Sequence, residues 1–227
     1  MSTLYFVATP IGNLADISRR ALETLEHVDQ IACEDTRTSG KLLQHYQIDK
    51  PVFSFHQHNE HQKVNHLINL LNSGLDIALI SDAGMPGISD PGFLAGRAAH
   101  LAGHTVQVIP GPDACTTGLI VSGLPSDRYC FEGFLPPKKG RQTRLQEIAG
   151  REMTTVLFES PHKLLKALNE LASHCGEDRI ACVARELTKK FEEVNRAPLA
   201  DLISIWQERD KIKGEFVIVL SGKSYTE

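Results

Sequence analysis

The chain alternates short apolar runs with stretches whose apolar residues recur at helical spacing. Residues 4–8, 30–33, 52–55, 77–80 and 105–109 are runs of strand length. Ile17, Ala21, Leu22, Leu25 and Val28 follow the first run at helical spacing, with Asp16 as the predicted N-cap. Val64, Leu67, Ile68 and Leu71 mark a second amphipathic stretch, which Gly74 is placed to end. Residues 93–102 and 114–121 complete the series as further helices. This alternation predicts an α/β fold, with a mostly parallel sheet and helices on both faces.

The pattern breaks at Gly123-Leu124-Pro125-Ser126-Asp127. A domain boundary is predicted there, giving an N-terminal α/β domain over 1–123 and a C-terminal α/β domain over 124–227. In the second half, residues 130–134, 154–158, 180–184 and 216–220 read as strands of a mixed sheet. A helix is predicted to open at Ser160-Pro161, with Leu164, Leu165, Leu168 and Leu171 on its buried face. Residues 198–207 read as another helix.

Composition narrows the class. A 227-residue chain that is 41% hydrophobic can bury a full core. The net charge of -4 leaves no bulk basic footprint, so any nucleic-acid contact must come from a local patch. The five cysteines, Cys33, Cys115, Cys130, Cys175 and Cys182, form no CxxC pair. Reduced thiols in a cytoplasmic protein are therefore expected. No run approaches the ~20 apolar residues of a membrane span, and the N-terminus lacks a basic leader region.

Candidate chemistry concentrates where the predicted strands end. Ser81-Asp82-Ala83-Gly84-Met85-Pro86-Gly87-Ile88-Ser89-Asp90-Pro91-Gly92 joins the fourth strand to the next helix. Its glycines let backbone approach a ligand closely, and its prolines stiffen it. The other first-half strands run into Thr9-Pro10-Ile11-Gly12-Asn13, Glu34-Asp35-Thr36-Arg37, His56-Gln57-His58-Asn59-Glu60 and Pro110-Gly111-Pro112-Asp113. In an open α/β sheet all five segments gather outside the carboxyl ends of the strands, where ligands bind. GxGxxG, GxxxxGK[ST] and GxSxG are absent, which argues against the usual dinucleotide fold, a P-loop and a hydrolase elbow. His56, His58 and His61 lack the acidic or thiol partners of a metal site. Residues 34–37 serve either as a helix start or as a substrate clamp. Lys138-Lys139-Gly140-Arg141-Gln142-Thr143-Arg144 is either a solvated charged turn or a phosphate-binding patch. Arg185-Glu186-Leu187-Thr188-Lys189-Lys190, after a second-half strand, either faces the cleft from the other side or is an exposed charged turn.

Taken in order, these segments resemble the tetrapyrrole methylase superfamily, and within it the methyltransferases of small-subunit ribosomal RNA. Further matching pieces are Gly123-Leu124-Pro125-Ser126-Asp127-Arg128, Glu132-Gly133-Phe134-Leu135-Pro136, Glu159-Ser160-Pro161-His162 and Ala184-Arg185-Glu186-Leu187-Thr188-Lys189. The resemblance implies two α/β domains with S-adenosylmethionine bound in a cleft between them, a homodimer, and no metal. The implied reaction is 2′-O-methylation of a cytidine in 16S RNA, with the assembled subunit as the better substrate. The implied cofactor residues are Pro10, Asp82, Ala83, Gly84, Ser89, Gly111 and Pro112, with Glu159, Ser160 and Arg185 from the second domain. Asn13, Arg37, His56, Lys138, Lys139 and Arg141 are the implied substrate contacts. Asp35, Glu34 and Lys189 are the candidate bases for the ribose hydroxyl.

Three positions depart from the family pattern: Met85 for the usual Thr, Gly87 for a larger apolar residue, and Asp113 for a small one. Family members often continue into a C-terminal helical extension, whereas this sequence stops shortly after Gly222. If that extension holds RNA, this chain is expected to manage without it. The rival readings are a methyltransferase of a tetrapyrrole or other small molecule and a non-catalytic ribosome-assembly factor that binds the cofactor.

Overall fold

The computed structural model describes residues 2–57 and 59–227. It divides into two units, Met1–Asp113 and Ala114–Glu227.

The first unit is an open sheet in the order β3-β2-β4-β1-β5. Its strands are β1 (Thr3–Val7), β2 (Gln30–Cys33), β3 (Val52–Ser54), β4 (Ile77–Ile80) and β5 (Thr105–Ile109), every pairing parallel. Parallel neighbours need crossovers, which are supplied by α1 (Arg19–His27), α2 (Thr36–His45), α3 (Glu60–Asn72) and α4 (Phe93–Leu101). The helices cover both faces. Ala78 and Ile80 of β4 pack into one core with Ala21, Leu25 and Leu43 of α1 and α2. Ile77 and Leu79 pack into another with Leu67, Leu71, Ala95 and Ala99 of α3 and α4. Burial from both sides explains why β4 is continuously apolar rather than alternating.

The second unit begins with α5 (Ala114–Val121) and carries the mixed sheet β6-β7-β10-β8-β9. Its strands are β6 (Tyr129–Phe134), β7 (Thr154–Glu159), β8 (Ile180–Arg185), β9 (Glu193–Pro198) and β10 (Phe216–Leu220). β6 and β7 run parallel, while β10 is antiparallel to both β7 and β8. The helices α6 (Arg141–Ala149), α7 (Leu164–Cys175) and α8 (Leu199–Gln207) bury Leu145, Leu168 and Trp206 with Phe216, Ile218 and Leu220. α5 packs against β7 and β10. A Cβ on Gly118 would come 2.6 Å from Val217 Cγ1, so only glycine allows this approach.

These contacts put α5 in the second unit, so the division falls after Asp113 rather than after Gly123. Two predicted caps also move. Asp16 lies in a 3-10 turn, and α1 is capped by Ser18, which accepts the Ala21 N–H at 3.1 Å. Ser160-Pro161 forms a turn, and α7 starts only at Leu164 with no side-chain cap. No helix among the described residues is long and apolar enough to cross a membrane.

Candidate functional site

The parallel order of the first sheet brings all five predicted loops to one edge. Two of them are zipped together by main chain. Thr9 N–H donates to Gly84 O at 2.9 Å, and Gly84 N–H returns a bond to Thr9 O at 3.0 Å. The buried Thr9 hydroxyl also donates to Ser81 O at 3.1 Å. Gly84 holds φ +84°, and a Cβ there would press on Ile11 at 3.2 Å. Gly111 lies so close to β1 that a Cβ would meet Ala8 Cβ at 2.9 Å. At both positions the absence of a Cβ is what lets the loop pack this closely against its neighbour. Ser89 holds φ +62°, a conformation that costs about 1–2 kcal/mol outside glycine and clusters at functional loops.

The acids of this edge are coupled. Asp35 N–H donates to Asp82 Oδ1 at 3.2 Å, tying the β2 loop to the β4 loop. Burial pushes the Glu34 carboxyl up, helped by the charge of Asp82. Burial also pushes Asp90 up, to about 6, with repulsion from Glu34 and Asp82 adding to it and a hydrogen bond to Ser81 opposing it. Asp35 behaves oppositely. Its Oδ1 caps α2 through Arg37 N–H at 2.8 Å, and its carboxylate takes the Arg37 guanidinium at 3.1 and 2.8 Å. The Arg37 bonds bring it down to about 2, too acidic to draw a proton from a hydroxyl. The helix-start reading of residues 34–37 thus holds, with Asp35 as cap and Arg37, though exposed, paired with it.

His56 is oriented by Asn59, whose Oδ1 accepts the His56 N–H at 2.8 Å and whose Nδ2 lies 3.1 Å from its Nε2. His58 lies outside the described residues. A cavity of ≈ 240 Å³ opens beside the zipped loops, lined by Thr9, Pro10, Gly12, Ser81, Asp82 and Lys41 among others. Asn13 caps the turn that borders it by accepting Ala15 N–H at 3.1 Å.

In the second unit, Glu159 and Arg185 end β7 and β8. Glu159 is buried and accepts the Ser160 N–H at 2.7 Å. Arg185 donates to Lys213 O at 2.6 Å and lies 3.6 Å from Glu193. Lys189 is held by Glu186 at 3.0 Å and Glu215 at 2.8 Å. Burial alone would lower its pKa, but these carboxylates outweigh it and raise the ammonium above its usual range. A cation so held cannot serve as the base. Arg141 also departs from its predicted role. It is 4% exposed and donates to Glu170 Oε2 at 2.8 and 2.6 Å and to Pro136 O at 3.0 Å. It pins α6 to α7 rather than facing a substrate. Arg144 is likewise taken by Glu132 at 3.3 Å and Glu147 at 3.0 Å. Of the basic run, Lys138 and Lys139 stay exposed.

The family model for tetrapyrrole (corrin/porphyrin) methylases matches residues 3–203, spanning both units. The chain belongs to the tetrapyrrole methylases. It is a methyltransferase dependent on S-adenosylmethionine. A ribosomal RNA small subunit methyltransferase I from Escherichia coli O157:H7 is 48% identical over 96% of this chain and 77% of its own length. A relative of the same name from Synechocystis sp. is 50% identical over 98% of this chain and 80% of its own. Among solved structures, a diphthine synthase aligns at TM-score 0.74 and 18% identity, over 97% of this chain and 90% of that one. The uroporphyrin-III-C-methyltransferase of Thermus thermophilus aligns at 0.67 and 17%, over 98% and 96%. These two share the fold.

The residues of this tetrapyrrole methylase fit its cofactor. Gly84 and Gly111 let their loops pack tightly against Ile11 and Ala8, which fixes the loop main chain at the sheet edge where a nucleoside could bind. Glu34, Asp82 and Asp90 supply negative charge that favours a cationic sulfur. Sequence reading had Asp90 inside the loop but did not single it out, because its neighbours Glu34 and Ser81 meet it only in space. It also missed Glu60, whose Oε1 accepts the N–H groups of Gly92 at 3.0 Å and Leu94 at 3.2 Å. Glu60 thereby supplies the cap that Gly92 lacks at the start of α4. Among the described residues, no group of His, Cys, Asp and Glu is arranged to hold a metal.

Proposed function

We propose that this chain methylates the ribose 2′-hydroxyl of a cytidine in small-subunit (16S) ribosomal RNA, within the assembled subunit. The near-half identity to ribosomal RNA small subunit methyltransferases I over almost the whole chain carries this reading. The low-identity structural neighbours share the fold alone, so they lend no weight to a porphyrin substrate.

In this reading Pro10, Asp82, Ala83, Gly84, Ser89, Gly111 and Pro112 hold the cofactor, mostly through main chain, with Glu159, Ser160 and Arg185 contributing from the second unit. The bound cofactor supplies a methyl group on a positively charged sulfur. The chain's residues then have two tasks. One is to orient the ribose, which falls to Asn13, Arg37, His56, Lys138 and Lys139. The other is to accept the hydroxyl proton, which falls to the Glu34–Asp90 pair, since Asp35 is too acidic and Lys189 stays protonated. A homodimer in the cytoplasm completes the proposal.

The test incubates the purified protein with radiolabelled methyl donor and small subunits from cells lacking this gene. Label in RNA, with one cytidine linkage newly resistant to alkali, supports the reading. Tight cofactor binding without label in RNA overturns it in favour of a small-molecule substrate or a non-catalytic factor.

A further inference from the structure

Outside the loops of the first unit, the C-terminal edge of the second sheet collects exposed rings and cations. β6 and β7 are parallel, and β8 runs the same way because both β7 and β8 are antiparallel to β10. The segments that follow β6, β7 and β8 therefore emerge at one edge, beside the segment that enters β10. Phe134, 58% exposed, is the last residue of β6, and the exposed Lys138 and Lys139 follow it. After β7 comes the exposed Lys163. After β8 come Lys190 and Phe191, the ring 63% exposed with the ammonium 5.7 Å from its centroid. Three inter-strand spacings separate the outer two groups, or about 14 Å.

The charges here differ in kind from others nearby. Lys189, Arg185, Arg141 and Arg144 are consumed by carboxylates or carbonyls. Among the described residues, Lys138, Lys139, Lys163 and Lys190 form no ion pair within the protein. Exposed rings interleaved with lysines free of carboxylate partners match single-stranded RNA, whose bases stack on rings while its phosphates meet ammonium groups. A membrane surface would call for a continuous apolar face rather than two rings standing apart, and an acidic peptide would leave the rings unused.

We propose that this edge is a docking surface for a single-stranded segment of ribosomal RNA, with Phe134 and Phe191 stacking bases and Lys138, Lys139, Lys163 and Lys190 contacting phosphates. The proposal rests on the ribosomal RNA reading above and extends it, because neither ring nor Lys163 or Lys190 belongs to the residues assigned there. It also accounts for how a chain of net charge -4 can hold a polyanion.

The test measures binding of RNA extracted from small subunits, together with methylation of intact subunits, for the wild type, Phe134→Ala, Phe191→Ala and the triple variant Lys138→Ala/Lys139→Ala/Lys190→Ala. Lys166→Ala on α7 is the charge control, and calorimetry with S-adenosylmethionine checks the cofactor site. Each ring variant is expected to weaken RNA binding about 5- to 150-fold. The triple variant should lower the slope of log affinity against log salt by about 2, at about 0.7 per single-strand phosphate contact. Cofactor affinity should stay unchanged throughout. Variants that bind RNA like Lys166→Ala, while the wild type methylates subunits, overturn this surface and leave the methyltransferase reading standing. A wild type that neither binds nor methylates RNA overturns both.

Discussion

Glu60 and Gly92 stand far apart in the chain, yet the Glu60 carboxylate accepts the Gly92 N–H at 3.0 Å and so ties the start of α3 to the start of α4. Gly92 ends the long loop that carries Ser89 and Asp90. Removing the carboxylate leaves two N–H groups of α4 without their partner. Glu60→Ala should cost about 1 kcal/mol by urea denaturation, the usual size of a lost cap. It should also raise KM for the cofactor, because the loop loses its anchor. Unchanged KM with lowered stability would confine Glu60 to a purely structural role.

Gly111 offers a cleaner test of close approach. Gly111→Ala should weaken cofactor binding and cost about 1–3 kcal/mol through overpacking against Ala8. The paired variant Ala8→Gly/Gly111→Ala removes the atom that Gly111 would strike. It should recover most of the lost stability and affinity in calorimetry. Recovery of neither would mean that Gly111 matters for another reason.

Asp90 makes a prediction about pH. Its folded pKa, about 6, lies above the ordinary 3.8, so the folded state holds the proton more tightly than the unfolded chain does. Its contribution to stability is therefore present below about 3.8 and is lost as pH rises through about 6. Asp90→Asn should flatten the dependence of the urea midpoint on pH in that window and make the protein more stable at pH 7. The same variant should slow methylation, since only the ionised form accepts a proton. A stable variant with wild-type turnover would move the base to Glu34 alone.

Arg141 and Lys138 lie near each other in sequence and should fail in different ways. Arg141→Ala breaks a largely buried pair with Glu170 and should cost about 3 kcal/mol in thermal or urea unfolding. At a temperature where the variant remains folded, its KM for subunits should be that of the wild type. Lys138→Ala should show the reverse: unchanged stability and a raised KM.

The legible parts of this fold are those where one residue property decides the outcome. β4 is buried on both faces, so its apolar run announced itself, and the glycine loop after it followed. β9 did not, because Glu193–Pro198 is a half-exposed edge strand with a polar sequence and no alternation. α6 was hidden inside a charged run, since its first residue, Arg141, buries a charge that sequence reads as solvated. Ser160-Pro161 carried a helix-start signal that the chain spends on a turn. The candidate site divides the same way. Which loops converge follows from strand order, whereas which carboxylate keeps its proton depends on neighbours such as Glu34 and Ser81 that meet Asp90 only in the folded chain.

The bond pair between Thr9 and Gly84 belongs wholly to the main chain. No exchange of one side chain for another deletes those N–H and carbonyl groups, short of a proline at either position. Adding or removing a residue between Ser81 and Gly84 would shift the two carbonyls out of step at once. The bridge therefore depends on the length of this connection more than on its side chains, Gly84 with its φ of +84° excepted.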